Sequence, residues 1–446
     1  MSTPDSVQFS NNPIEGTSAE SELIIFRSEL PSYNPSSNKF IRINLPVADK
    51  AWIDFGDTIL SLKLTNRSYD SAVASASESA VKTQLSNLIR SVSILNSQGE
   101  QIEYINNYNL ISNIMDDYSM SQNHKSSVEE ILAGGSSDGD PNSATDLNGV
   151  ASGTVEADGS SITLCDRIMS GFTSGQFLLP LGYLVGQACA IVIELEDPNT
   201  ALYNSTSSNR VLAYKVENVE IRAKQIRFNA VFNQSFERTL AEAGSVGINY
   251  ITESFIHNQN SIPSGSTSSY NVPFSCNPRS AKYILACHRV NGDVSDLNKF
   301  SLGTRTGCEI ENYTFEINGK QVPSQPIKVA DDNISQAYAQ VLDALGQIGA
   351  LNHSTLVSRG TTRTLFYARA TATPSKYVSA LPLEDFNSST NPSVYSGMNL
   401  TTAGQLTYRP TISSTGVGGD AIRVDFFTSI DMSIHFTLDG RMYSVR

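Results

Sequence analysis

Residues 89–105, Ile89-Arg-Ser-Val-Ser-Ile-Leu-Asn-Ser-Gln-Gly-Glu-Gln-Ile-Glu-Tyr-Ile, decide how the chain is read. Ile89 to Leu95 carries the two-residue apolar period of a strand with one buried face. Asn96-Ser-Gln-Gly follows as a turn. The period then changes. From about Tyr104 to Tyr118 the side chains Ile105, Tyr108, Ile111, Met115 and Tyr118 fall on one helical face, predicting an amphipathic helix. Strand, glycine turn and amphipathic helix form the local grammar.

The same grammar recurs in the second half. Tyr313-Thr-Phe-Glu-Ile-Asn-Gly-Lys reads as a strand ending in an Asn-Gly turn. A helix is predicted from Asn333 to Ala350, with Ile334, Ala337, Tyr338, Val341, Leu342, Leu345 and Ile348 on one stripe. Asp331, Asp332 or Asn333 can cap it, where negative charge suits the helix dipole.

Outward from these anchors, strand patterns occur at Phe40–Leu45, Ile59–Leu64, Gly175–Leu181, Cys189–Glu196 and Val211–Ile221. In the second half they occur at Ile248–Ile251, Ala281–Cys287, Arg363–Arg369, Ala421–Phe427 and Met432–Leu438. Each half has a Leu-Pro-Leu step, at Leu179 and Leu381. Residues 1–20, polar and holding Pro4, Pro13 and Gly16, read as a flexible arm. Residues 119–161, rich in Gly, Ser and Asp, read as an exposed excursion without its own core. We read an all-β chain with a few short helices, a tandem duplication of an antiparallel domain with its junction near residues 222–240. Periodicity alone fits Greek-key sandwiches generally.

Composition narrows the function classes. Over 446 residues, 31 basic against 44 acidic side chains give a formal net charge of −13, and the sequence holds no Lys/Arg cluster. A protein that wraps nucleic acid needs a basic face to release phosphate counterions, so direct genome binding is disfavoured. The five cysteines, Cys165, Cys189, Cys276, Cys287 and Cys308, lack metal-knuckle spacing and fit a reducing compartment. The N-terminus reads as free of a secretory signal, and no apolar stretch approaches the roughly 20 residues of a membrane span. Synthesis as a soluble protein in the cytoplasm is expected.

Several passages then resemble a known family, the double jelly-roll major capsid proteins of tailless icosahedral DNA viruses (polinton-like virus, virophage and adenovirus-type lineage). Leu88 to Ile105 resembles the strand, turn and helix start of the first jelly roll, and Leu178–Leu184 with Ile191–Glu196 its later strands. Ile317–Ile327 resembles the matching turn of the second barrel; Ser396–Pro410 and Val424–Gly440 complete it. The likeness covers nearly the whole chain from about Phe26 and is one of order and texture, with no active-site signature. It implies two tandem eight-stranded antiparallel jelly-roll barrels: an arm over residues 1–25, a first barrel over 26–222 and a second over 223–446. It further implies a homotrimeric pseudo-hexagonal capsomer that tiles a virion shell around a DNA genome. Residues 119–161 and the loop around Asn387–Ser396 would form the outer tower. Implied partners are other copies of the chain, neighbouring capsomers, penton proteins and minor or cement capsid proteins. An internal membrane beneath the shell stays an open alternative.

Asp138-Gly-Asp-Pro-Asn starts like a calcium loop, yet Ser143 and Gly149 stand where Gly and Glu are required. The histidines, His124, His257, His288, His353 and His435, are widely separated, and His288 and His435 sit in strand patterns. No nucleophile elbow, phosphate loop or dinucleotide fingerprint occurs. Asn-x-Ser/Thr triplets at Asn66, Asn204, Asn312, Asn333, Asn352 and Asn399 read as chance products of composition. The expectation is a non-enzymatic protein with no catalytic, cofactor or metal residues. Two alternatives stand beside it: a viral fibre, adhesin or carbohydrate-binding β-sandwich, which needs exposed aromatics although Trp52 is the single tryptophan, and a double jelly-roll glycosidase or amidase, which needs convergent carboxylates.

Overall fold

Alternating side chains bury one face of each strand, and the structure pairs those strands into four principal sheets. A computed structural model describes residues 19–66, 81–119, 132, 154–155, 161–173, 177–202, 213–244, 247–294, 302–303, 305–329, 333–346, 366–367, 374–384, 395–413 and 417–446. The arm before residue 19, nearly all of 119–161 and residues 385–394 lie outside these.

In the first half the main strands are β1 (Ala19–Arg27), β2 (Phe40–Leu45), β3 (Trp52–Asn66), β4 (Ile89–Leu95), β5 (Gln101–Asn106), β6 (Ser161–Asp166), β7 (Cys189–Leu195) and β8 (Tyr214–Phe228). In the second half they are β9 (Ile248–Ile262), β10 (Val272–Phe274), β11 (Ala281–Val290), β12 (Ile310–Ile317), β13 (Lys320–Lys328), β14 (Val378–Pro382), β15 (Leu406–Ile412) and β16 (Ile422–Phe436), followed by β17 (Met442–Val445). The first half forms sheets β1-β8-β3-β6 and β2-β7-β4-β5; the second forms β9-β16-β11-β14 and β10-β15-β12-β13. Adding eight to each strand of the first half gives the order of the second. The chain is thus two antiparallel jelly rolls of one plan. Even the Leu-Pro-Leu steps coincide: Leu179 pairs with Ile53 on β3, and Leu381 with Ile284 on β11.

Each pair of sheets closes over an apolar interior. Ile41, Ile43 and Leu45 of β2, Leu60, Leu62 and Leu64 of β3, and Val216, Val219 and Ile221 of β8 are almost fully buried. Each such side chain contributes about 1.5–3 kcal/mol. On β8 the alternation slips between Glu217 and Glu220, where Asn218 takes a left-handed φ of 52°. Asparagine tolerates that conformation, and the bulge restores the inward phase for Val219.

Three helices matter: α1 (Tyr108–Ser119), α2 (Ala230–Ala243) and α3 (Ile334–Ala344). α1 and α3 occupy equivalent places, each after its glycine turn and the strand that follows. α1 starts four residues later than its apolar spacing predicts. Residues 101–106 are strand, with Ile102 and Ile105 buried, and Asn107 at φ 49° separates the two periods. The predicted helix 333–350 is seen over 334–344, with residues 347–350 undescribed. Of the strand expected at 175–181, Leu178–Leu179 alone is strand among the described residues 177–181. Of the strand expected at 363–369, the described Phe366 and Tyr367 are not strand.

Two features near the expected boundaries differ from the reading. Residues 19–25, placed in the arm, belong to β1 and pair with β8 from Arg222 to Phe228. β8 itself runs through the expected 222/223 division, so the link between the jelly rolls is α2. Asn229 caps this helix, its Oδ1 accepting from Phe232 N at 2.9 Å, and Gly244 at φ 59° ends it. Phe232 and Phe236 pack with Tyr183 and Phe228 around Trp52, their ring centroids 4.5–6.1 Å from its own.

Candidate functional site

The two jelly rolls meet along a buried seam, where β5, the helix α1 and the loop after β6 press against β9 and the outer face of β16. Strands at a sheet edge carry unpaired backbone groups, so covering them needs side chains that satisfy polar atoms. The seam does this at three stations.

At the first, Glu103 of β5 is 1% exposed. Its Oε1 accepts from Gly171 N at 2.9 Å and from Ser254 Oγ of β9 at 2.6 Å. Its Oε2 accepts from Ser170 Oγ at 2.5 Å and Phe172 N at 3.2 Å. Thr252 Oγ1 donates back across the seam to Gly171 O at 2.8 Å. Gly171 is required sterically: a Cβ there would lie 2.6 Å from Glu253 O.

At the second station, His257 of β9 stands against Asn106 and Asn107 of the first jelly roll. Its Nε2 lies 3.0 Å from Asp425 Oδ1 and 2.9 Å from Asn107 Nδ2. Asp425 on β16 is fully buried and also accepts from Arg289 Nη2 at 2.7 Å and Arg423 Nε at 3.1 Å. Burial alone would raise the Asp425 pKa. Arg289, the His257 hydrogen bond and Arg423 outweigh it and hold the carboxyl well below the usual carboxylate range.

At the third, Asp117 near the end of α1 accepts from Lys376 Nζ at 3.0 Å and from the fully buried Arg305. Tyr118 OH donates to Lys376 O at 2.6 Å. The C-terminal strand closes the opposite end. Ser444 Oγ and Arg446 Nη2 each donate to Ile102 O at 2.6 Å, and Asn96 Nδ2 donates to Met442 O at 2.8 Å. Buried pairs of this kind fix one register between two bodies, because sliding either body strands a charge.

A cleft of about 430 Å³ opens beside the seam, lined in part by Phe55, Tyr108, Met115, Asp166, Glu253 and Phe255. Glu253 is held by Ser429 Oγ at 2.6 Å, Tyr283 OH at 3.0 Å and Lys282 Nζ at 3.1 Å. The arrangement orients a carboxylate for packing; three donors occupy its oxygens.

His257 joins the seam. His288 lies fully buried in the second jelly roll, 5.8 Å from the Tyr377 ring and 5.5 Å from Tyr408, and burial pushes its pKa down to about 3. His435 stacks on Tyr443 at 4.8 Å. All five cysteines are free, and all but Cys165 are buried. Burial pushes the Cys189 thiol up to about 12. Trp52 is 5% exposed within its aromatic cluster and presents no ring face to solvent. His124, His353, the Asp138 loop and Asp331-Asp332 lie outside the described residues. Among the described residues no three His, Cys, Asp or Glu side chains converge as a metal site. Sequence reasoning missed Glu103, Asp117 and Asp425. The available signal was an acid inside an apolar run, as in Val424-Asp-Phe-Phe, because a buried charge needs a partner.

No protein-family model matches the chain, and no curated protein matches it in sequence. Solved structures do match over nearly the full length. The Faustovirus major capsid protein superposes with a TM-score of 0.61 at 10% identity, covering 96% of this chain and 92% of that one. VP54 of PBCV-1, fitted into a reconstruction of the virophage Sputnik, gives 0.58 at 11% identity over 96% and 97%. The mavirus major capsid protein gives 0.55 at 8% identity over 100% and 95%. At such identities the likeness speaks for the fold, and here it agrees with the strand order derived above. The chain has the double jelly-roll fold of these viral major capsid proteins.

Proposed function

We propose that the chain is the major capsid protein of an icosahedral DNA virus, a structural protein without catalytic activity. Three copies would form a pseudo-hexagonal capsomer that tiles the virion shell. The observation that carries this reading is the seam: two jelly rolls of one plan are joined through the buried carboxylates Glu103, Asp117 and Asp425. A tile that repeats across a lattice needs its two halves held in one register, since each contact is weak and closure multiplies many of them. The full-length likeness to capsid proteins supports it.

On this reading the residues before β1 form the locking arm, and the duplicated units lie on either side of α2. Residues 119–161 and 387–396 are the tower loops. Partners would be neighbouring capsomers, penton and minor proteins, in a shell whose inner surface takes no direct hold of DNA. The sugar-binding alternative lacks an exposed tryptophan, because Trp52 is packed away.

Light scattering on the purified protein tests the proposal. A mass near three chains, with shell-like particles under the electron microscope, is the expected result. A stable monomer with affinity for glycans would overturn it. Deleting residues 1–18 is expected to keep the three-chain mass and abolish shells.

A further inference from the structure

The cleft beside the seam sits where strand β3 leaves its ladder. β3 pairs with β8 at Asp54 opposite Lys224 and again at Ile59 opposite Arg222, so residues 55–58 stand opposite the single residue Ala223. On the other side the ladder with β6 begins only at Leu60, and Leu178 and Leu179 pair at Asp54 and Ile53. A bulge of this size re-aims side chains and is common beside functional sites. Here it brings Phe55 and Thr58 into the cleft wall, with Tyr108 and Ile168 of the first jelly roll and Phe255 of the second. All five are buried and form its floor.

The polar groups of the cleft point to an occupant. Thr58 is 3% exposed, and its Oγ1 has no hydrogen-bond partner among the described residues. A buried hydroxyl left unpaired costs stability, and native proteins keep few of them. At the rim stand the half-buried Asp116, Asp166 and Glu253, against one cation among the described lining residues, the exposed Arg167. Asp166 and Asp116 converge on one phenol: burial pushes the Tyr108 pKa up, and their charges push it further. Tyr108 OH is itself engaged, accepting from Met169 N at 2.8 Å. Asp166 accepts from Arg167 N at 2.6 Å. A carboxylate offers about four lone-pair sites, so an added donor fits beside that bond.

We propose that this cleft binds a small hydroxylated arylalkylamine, with its ammonium at Asp166 and Asp116, its ring on Phe55, Tyr108 and Phe255, and its hydroxyl at Thr58. The order of groups from rim to floor sets that class: carboxylates outside, rings within, a lone hydroxyl at the buried end. Aromatic walls add to the attraction for a cation. The volume of about 430 Å³ suits a small molecule. Phe255 and Glu253 belong to the second jelly roll and the other groups to the first, so the bound molecule spans the seam and stabilises the joined form. This inference is independent of the capsomer reading.

Calorimetric titration and thermal melting of the full-length chain test this with three probes. These are tyramine, phenethylamine, which lacks the hydroxyl, and 3-(4-hydroxyphenyl)propionate, which carries a carboxylate in place of the ammonium. Tyramine is expected to bind once per chain and raise the melting temperature. Phenethylamine should bind about tenfold more weakly, and the propionate not at all. Thr58→Val replaces an unpaired hydroxyl by a methyl of the same shape, so the empty chain should melt no lower. It is expected to erase the difference between the two amines. Asp166→Asn, whose amide oxygen still accepts from Arg167 N, should weaken both amines about tenfold. Should that variant not fold, Asp116→Asn carries the same readout. Binding of the propionate, no saturable binding of tyramine, equal affinity for the two amines, or variants that bind as the wild type does would overturn the assignment.

Discussion

His288 and Asp425 are buried titratable groups on adjacent strands, shifted by opposing causes. For His288, burial disfavours the imidazolium, and its folded pKa of about 3 lies below the ordinary 6.5. The unfolded chain therefore binds a proton that the folded chain refuses between those values. Stability is intact above pH 6.5 and drains as the pH falls toward 3, by about 1.4 kcal/mol per unit at most. His288→Phe, a ring that can sit between Tyr377 and Tyr408, is expected to flatten that part of the urea-unfolding stability profile. An unaltered profile would show that His288 is solvated. Asp425 contributes in the usual carboxylate sense: its stabilisation is present above about pH 4 and is lost as the pH falls toward its depressed folded value. Asp425→Asn leaves Arg289 and Arg423 facing a neutral amide. A loss of about 3–5 kcal/mol at neutral pH is expected from denaturant titration.

Among the elements, α2 is the one whose docking can be watched directly, because Trp52 is the single tryptophan and the helix covers it. Phe236→Ala removes the ring 4.5 Å from the Trp52 ring. A red-shifted emission maximum is expected, with circular dichroism unchanged and a cost below the roughly 3–5 kcal/mol of a fully buried Phe→Ala, because Phe236 is half-buried. An emission maximum that stays put would mean that Trp52 is shielded without the helix. The same element shows where sequence reading stops. Phe232, Phe236 and Leu240 recur every fourth residue, a helical signal, but their partners Trp52 and Tyr183 are far away in the chain. The hairpin turns at Asn96–Gly99 and Asn318–Gly319 were legible because a turn is a local requirement. The start of α1 was not. Ile102 and Ile105 fit the helical spacing and are buried as strand residues, and only the sheet pairing of β5 with β4 decides between the two. β1 was obscured for the opposite reason: its exposed face gives an edge strand no alternating contrast. At the seam, Glu103 meets Ser254 across 151 residues, a separation at which composition and period carry no information.

For the whole molecule, the seam implies that both jelly rolls unfold together. One calorimetric transition is expected for the wild-type chain. Glu103→Ala strands four donors, Ser170 Oγ, Gly171 N, Phe172 N and Ser254 Oγ, at a cost of about 3 kcal/mol or more. Combined with Gly171→Ala, which forces backbone apart across the join, it is expected to split the trace into two transitions. A single lowered transition would mean that the remaining stations suffice. The net charge of −13 gives a second expectation at this scale: no retardation of duplex DNA in a gel at low salt, where electrostatic binding is strongest.

That two jelly rolls arrive joined in one polypeptide also changes the law of mass action for any ring they build. Six separate pieces would assemble with the sixth power of their concentration, whereas three fused pairs assemble with the third. Tenfold dilution then lowers the equilibrium yield of rings about a thousandfold instead of about a millionfold. Half of the joints are made at translation, so closure of such a ring could begin while the pool of free chains is still sparse.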